Sequence, residues 1–250
     1  MNPTIIEQLN AETEDLSASE SLRWVAQVYG KEASFSLGFG LEGMVIADLI
    51  FTQDLDIRVF TLDTGRLFVE TYELFNKVYA RYQKKIEVYF PERDSVEKLV
   101  SSKGPFSFYE SIENRKECCG IRKLRPLERA LKGSKIWITG LRASQSEFRS
   151  GLSRFYWDEK RQLIKFNPLF EWSREEVWEY IRKNRVPYNA LHDRGYQSVG
   201  CAPCTRATEA GEDERAGRWW WEDSHKECGL HEIETSTPLK EKPKALCQKC

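Results

Sequence analysis

At 250 residues the chain is long enough for one sizeable α/β core with a short appendage and too short for two generous domains. Its 38 basic and 39 acidic residues leave a formal net charge of -1, which excludes the strong positive field of a non-specific nucleic-acid binder. The first twenty residues lack the pattern of a secretory or transit leader, and the longest apolar run, Met44 to Phe51, is broken by Asp48 and falls short of the roughly 20 residues of a bilayer span, so a cytoplasmic protein with no membrane partner is expected.

Along the chain, short β-rich runs alternate with amphipathic stretches, the pattern of a parallel twisted sheet flanked by helices. Strands are expected at Ala33–Leu37, Ile57–Leu62, Lys85–Phe90, Lys135–Thr139 and Leu163–Phe166. The first runs into Ser36-Leu37-Gly38-Phe39-Gly40-Leu41-Glu42-Gly43 and then a helical apolar pattern, so that helix-terminal amides and glycines stand where a phosphate can approach. The Gly-Lys-[Ser/Thr] ending of a Walker loop is missing, and an ordinary βα turn explains this stretch equally well by itself. The second strand ends in Leu62-Asp63-Thr64-Gly65-Arg66 and the fourth in Thr139-Gly140-Leu141-Arg142, with Arg149 following. Ligands of open α/β sheets bind at the carboxyl ends of strands, and guanidinium groups there clamp phosphate or sulfate oxygens. The convergence of these loops, more than any one of them, points to a nucleotide. A helix is expected from Ser173, where Ser-Arg-Glu-Glu forms a capping box with Glu176, to the breakers Asn184 and Pro187.

Seven cysteines in a chain expected to be cytosolic favour metal binding or catalysis over a disulfide framework. They fall into the vicinal pair Cys118 and Cys119, the pairs Cys201/Cys204 and Cys247/Cys250, and solitary Cys228. Two pairs about eighty residues apart suit tetrahedral zinc or an iron–sulfur cube, and the vicinal pair favours the cluster. Cys228 lies between His225, Lys226 and His231, neighbours that lower a thiol pKa, and after Trp219-Trp220-Trp221. Beyond Leu230 the chain has few large apolar residues and two prolines and reads as a mobile tail.

Taken together, Leu62-Asp63-Thr64-Gly65-Arg66, Cys118-Cys119-Gly-Ile-Arg-Lys123, Thr139-Gly-Leu-Arg142, Gly-Cys201-Ala-Pro-Cys204-Thr, Arg215-Ala-Gly-Arg218 and Lys226-Glu-Cys228-Gly-Leu-His231 resemble the assimilatory adenosine 5′-phosphosulfate (APS) and 3′-phosphoadenosine 5′-phosphosulfate (PAPS) reductases over roughly residues 34–231. The resemblance implies an adenine nucleotide alpha-hydrolase-like fold with a modified PP-loop, and a [4Fe-4S] cluster on Cys118, Cys119, Cys201 and Cys204, which places the chain in the APS branch. It implies that Cys228 attacks the sulfuryl sulfur, expels AMP and forms an S-sulfonate that thioredoxin cleaves to sulfite. Ser36, Gly38, Asp63, Gly65, Arg66, Lys123, Arg142, Arg149, Arg215 and Arg218 become the substrate-binding candidates. Residues 1–210 are then expected to form a nucleotide- and cluster-binding domain and residues 211–250 a tail carrying the catalytic cysteine, with a homo-oligomer left open.

Two features depart from that pattern: Gly43 stands where relatives often carry an acidic residue, and the chain continues to Cys247-Gln-Lys-Cys250, a pair suited to resolving a sulfonated Cys228 or a chance extension. Competing readings are a dual APS/PAPS reductase, an ATP-dependent iron–sulfur tRNA thiolase, whose Ser-Gly-Gly loop is a poor fit to Ser36–Gly40, and a non-catalytic zinc-ribbon module, which leaves Asp63-Thr-Gly-Arg66 and Cys228 unexplained.

Overall fold

The computed structural model describes residues 3–145 and 153–222. Helices α1 (Pro3–Glu12) and α2 (Ala18–Tyr29) precede strand β1 (Ala33–Ser36). Ser17 starts α2 through a capping box with Glu20, and the helix buries Ala18, Ser21, Leu22 and Val25 before Gly30 ends it at φ +49°. The chain then runs through α3 (Leu41–Thr52), β2 (Arg58–Leu62), α4 (Val69–Tyr82), β3 (Glu87–Tyr89), α5 (Arg93–Lys103), α6 (Ile112–Cys119) and a π turn at Gly120–Leu124 that leads into α7 (Arg125–Ala130). Strands β4 (Ile136–Ile138), β5 (Phe155–Asp158) and β6 (Leu163–Phe166) and helix α8 (Arg174–Asn184) follow. No described helix is long and apolar enough to cross a membrane.

The strands form one six-stranded sheet in the order β3-β2-β1-β4-β6-β5. Every neighbouring pair is parallel except β5 with β6, so the sheet is mixed where a parallel one was expected. The exception is a hairpin: Arg161 donates its backbone N–H to the Asp158 carbonyl, and Gln162 takes a left-handed φ of +53° to return the chain. The five expected strands all form, each within its expected range. The capping box at Ser173 and Glu176 is present, and α8 ends at Asn184 with Arg185 in the left-handed region, two residues before Pro187.

Strand side chains alternate between two cores, as a period of two requires. Phe35, Val59, Ile136, Ile138, Ile164 and Phe166 join the larger core with α1, α2, α3 and α8, whereas Phe60, Trp137 and Leu163 join a smaller one with Leu127 and Ala130 of α7. Burying each such side chain is worth about 1.5–3 kcal/mol. Helix α3 is buried along most of its length, from Met44 to Phe51, which is why its sequence reads as nearly continuous apolar. The interrupting Asp48 is satisfied: it accepts hydrogen bonds from the Tyr82 hydroxyl at 2.6 Å and the Tyr180 hydroxyl at 2.8 Å, tying α3 to α4 and α8.

Candidate active site

A cavity of about 290 Å³ opens where β1, β2 and β4 end. The β1 loop supplies Ser36 and Gly38 to Gly43, the β2 end Thr61, Leu62 and Thr64, and the β4 end Thr139, Gly140 and Leu141. The β1 turn is shaped by Phe39, which sits at φ +56° with its ring buried against Phe75, 5.2 Å between centroids. That backbone conformation is uncommon for a residue with a Cβ and persists because the ring is anchored. Gly40 then caps α3. Gly140 has a packing reason, because a Cβ there would stand 3.0 Å from Glu42 Cβ and 3.4 Å from the Gly43 amide nitrogen. A side chain at Gly43 would meet only ordinary contacts at 3.5 Å and beyond, so packing does not demand that glycine.

Of the sequence candidates, Ser36, Gly38, Lys123, Arg215 and Arg218 line this cavity. Asp63, Gly65 and Arg66 do not line it. Asp63 accepts the Gly65 amide at 2.8 Å and the Tyr72 hydroxyl at 3.0 Å, while Gly65 takes φ +69°. Burial, with Asp63 alongside, pushes the Tyr72 hydroxyl up to about 12. The Arg66 carbonyl accepts the Ala202 amide, its guanidinium lies 4.9 Å from the Phe108 ring centroid, and Leu67 bridges to Cys201. This loop therefore joins the nucleotide end of the sheet to the Cys201–Cys204 turn.

Cys118 and Cys119 end α6, and Cys201 caps a single 3-10 turn that Cys204 closes. None of the four is in a disulfide, and all four line one small cavity with Arg66, Phe108, Arg122, Lys123, Pro203 and Trp219; Lys123, Cys201 and Trp219 also line the larger cavity. Burial pushes the Cys204 thiol up to about 12 and raises Cys118 as well. Cys201 goes the other way: burial opposes ionisation, but Lys123, the Thr64 hydroxyl at 3.2 Å, Arg218 and Arg122 outweigh it and hold this thiol below the usual range.

Comparison with known proteins draws these features together. Residues 32–207 match the model of the phosphoadenosine phosphosulfate reductase domain. The chain belongs to the phosphoadenosine phosphosulfate reductase family. It is 53% identical over 201 residues to the adenosine 5′-phosphosulfate reductase of Allochromatium vinosum, covering 80% of this chain and 78% of that one. The relative of the same name from Neisseria meningitidis serogroup A is 49% identical over 203 residues, covering 80% and 83%. A phosphoadenylyl-sulfate reductase from Candida auris, solved as a phosphate complex, superposes with a TM-score of 0.72 at 33% identity over 82% of this chain and 98% of that one.

Within this reductase-family chain the expected [4Fe-4S] cluster has to be corrected. Among the described residues no group of three or more His, Cys, Asp or Glu side chains is arranged to hold a metal ion. The cavity that the four cysteines line, with Arg66, Phe108, Arg122, Lys123, Pro203 and Trp219, measures about 20 Å³. That admits about one water molecule, so a four-iron cube does not fit between the side chains as they stand. The spacing of the pairs brought the cysteines to one wall but did not set the distance across it.

Arg142 is also placed differently from a substrate clamp. It is fully buried and its guanidinium is engaged by Glu42 at 2.7 Å, the Ser144 hydroxyl at 2.6 Å and Glu214 at 3.0 Å. It therefore positions Glu42 and Glu214, which with Gln145 and His192 line the larger cavity. Sequence reasoning missed these four as site residues: Glu42 stood in the recognised glycine loop, and nothing local marked Gln145, His192 or Glu214. Arg149 and Cys228, with Ser146, His225, Lys226, His231, Cys247 and Cys250, lie outside the described residues.

Proposed function

We propose that this chain reduces adenosine 5′-phosphosulfate to sulfite and AMP, in assimilatory sulfate reduction, with thioredoxin as electron donor. The observation that carries this reading is the 53% identity to an APS reductase over most of both chains, joined to a strand-end cavity that contains Lys123, Arg215 and Arg218 and shares a wall with the cysteine pocket. The Cys228 thiolate attacks the sulfuryl sulfur, the bond from that sulfur to the phosphate oxygen breaks, and AMP leaves with the electron pair. One thioredoxin thiolate then attacks the Cys228 sulfur and expels sulfite. Its second thiol resolves the mixed disulfide, so the two electrons come from the dithiol and Cys228 returns as a thiol.

The departing phosphate gains negative charge as the S–O bond breaks, so fixed cations favour the transition state over the ground state. Lys123 and Arg218 suit that role because they already stabilise negative charge on neighbouring Cys201. Arg218 is held in place by its environment: a side chain at residue 200 would run into its guanidinium, and that guanidinium lies 4.8 Å from the Trp219 ring centroid.

The test is anaerobic incubation with labelled APS, without thioredoxin, followed by intact mass measurement and peptide mapping. A sulfonate on Cys228, released as sulfite on adding reduced thioredoxin, is the expected result. Transfer of no label to Cys228 by protein that binds APS would refute the covalent route. An equal adduct from PAPS would establish a dual substrate range.

A further inference from the structure

We infer that His192 is a ribose-binding residue, its Nε2 accepting a hydrogen bond from a ribose hydroxyl of the nucleotide; this rests on the nucleotide reading above. His192 sits on the 3-10 turn Ala190–Arg194, capped by Asn189, whose side-chain oxygen accepts the Leu191 amide at 3.0 Å. Asn189 is itself buried and donates to the Thr71 hydroxyl at 3.0 Å, so the turn is held to α4. The edge of the Trp178 ring system packs near the imidazole at 6.1 Å between centroids. The ring is therefore oriented before any ligand arrives.

Its chemistry is equally defined. Nδ1 lies 2.7 Å from the Tyr196 carbonyl oxygen, which can only accept, so Nδ1 carries the proton and Nε2 of the neutral ring is a lone-pair acceptor. Burial keeps the imidazole below its ordinary range, with Arg174 acting in the same direction and the Tyr196 carbonyl, Glu42 and Asp193 opposing. Yet Nε2 is buried and has no hydrogen-bond partner among the described residues, in a residue that lines the cavity. Leaving such an acceptor unpaired costs about 1–3 kcal/mol, and a native structure retains such a group for a reason.

The neighbouring wall indicates which ligand group would supply the donor. Nε2 needs a donor, and Glu42 and Asp193 are the carboxylates that act on this imidazole, so a phosphate or sulfate oxygen, itself an acceptor, is poorly served at Nε2. Those oxygens suit Lys123 and Arg218 beside Cys201. A ribose hydroxyl both donates and accepts, and carboxylate-lined strand-end sites characteristically bind it.

His192→Asn separates the two ring nitrogens, since its amide can still donate to the Tyr196 carbonyl while no acceptor remains at the Nε2 position. Dissociation constants would be measured by titration calorimetry for AMP, 2′-deoxy-AMP, 3′-deoxy-AMP and purine riboside 5′-monophosphate. Wild-type protein should prefer AMP over one deoxy analogue by about five- to tenfold, the value of one hydrogen bond, and the variant should lose that preference. A variant that weakens AMP and both deoxy analogues equally overturns the inference, and coupling only to the analogue lacking the 6-amino group overturns it by moving the contact to the base. In wild-type protein, AMP should also shift the His192 Nε2 ¹⁵N resonance upfield, a readout independent of how well the variant folds; an unchanged resonance in an AMP-saturated sample overturns the inference too. Failure of wild-type protein to bind AMP at all would instead strike at the nucleotide reading beneath it.

Discussion

Replacing Glu222 by glutamine tests how the cysteine-bearing helix is held to the segment that leads toward Cys228. Arg115 of α6 and Glu222 form a two-pronged ion pair with N–O distances of 2.7 and 2.9 Å, at side-chain exposures of 2% and 3%. The arginine also lies 4.8 Å from the Trp219 ring centroid, and although burial disfavours its charge, Glu222 more than compensates and raises its pKa. Glu222→Gln keeps the shape and removes the carboxylate that offsets the burial of this guanidinium, a loss of about 3–5 kcal/mol when one partner of a buried pair is removed. For a chain of this size that corresponds to a fall in Tm of roughly 6–20 °C. Urea denaturation monitored by tryptophan fluorescence measures it directly. The double variant Arg115→Met with Glu222→Leu should recover most of the loss, because it removes both charges. A single variant that loses less than about 1 kcal/mol would refute the argument that this pair is desolvated and joins α6 to the end of the described chain.

Three further outcomes are expected. Lys123→Met should slow formation of the Cys228 sulfonate by about 10²–10³-fold, the cost of one preorganised charge on a developing anion, and an unchanged single-turnover rate would remove Lys123 from the chemistry. Gly200→Ala should displace the Arg218 guanidinium, with which its new Cβ collides, and weaken AMP binding roughly tenfold or more by calorimetry; equal affinity would show that Arg218 does not contact the nucleotide. His192 is held neutral by burial, so its folded pKa lies below its unfolded value of about 6.5. As pH falls below that value the unfolded chain takes up a proton that the folded chain resists, and stability drops by up to about 1.4 kcal/mol per pH unit until the folded pKa is passed. His192→Asn should flatten that part of the pH–stability curve measured by denaturant titration, and an unaltered curve would contradict the assignment.

Much of the architecture was legible because its signals are local. A capping box spans four residues, and the Ser173–Glu176 box is present with α8 following it. Interior parallel strands read as short apolar runs, and four of these were placed correctly together with edge strand β3. Strand β5 was missed because it returns to β6 through a hairpin turn, with Gln162 left-handed, that has no glycine to announce it. The glycine loop after β1 and the strand-end loops at Asp63 and Thr139 converge as expected, but their side chains do not all turn the same way. Thr64 faces the cavity, whereas Asp63 is taken up by Gly65 and Tyr72.

By itself the sequence determined the alternation of elements, the glycine turns, the grouping of the cysteines and a net charge of only -1, because each depends on neighbours a few residues apart or on composition. Only the tertiary structure decided what the charged groups do. Arg142 reads as an anion clamp until Glu42, 100 residues away, and Glu214, 72 residues away, are found on its guanidinium. The four cysteines read as a cluster site until the cavity they line proves to hold about one water. His192 carried no local mark, yet it has one nitrogen satisfied four residues on and the other buried with no partner among the described residues. Distances of this kind follow from how the sheet closes and how loops from separate strands pack, and small differences in that packing decide whether a charge meets a ligand or another side chain.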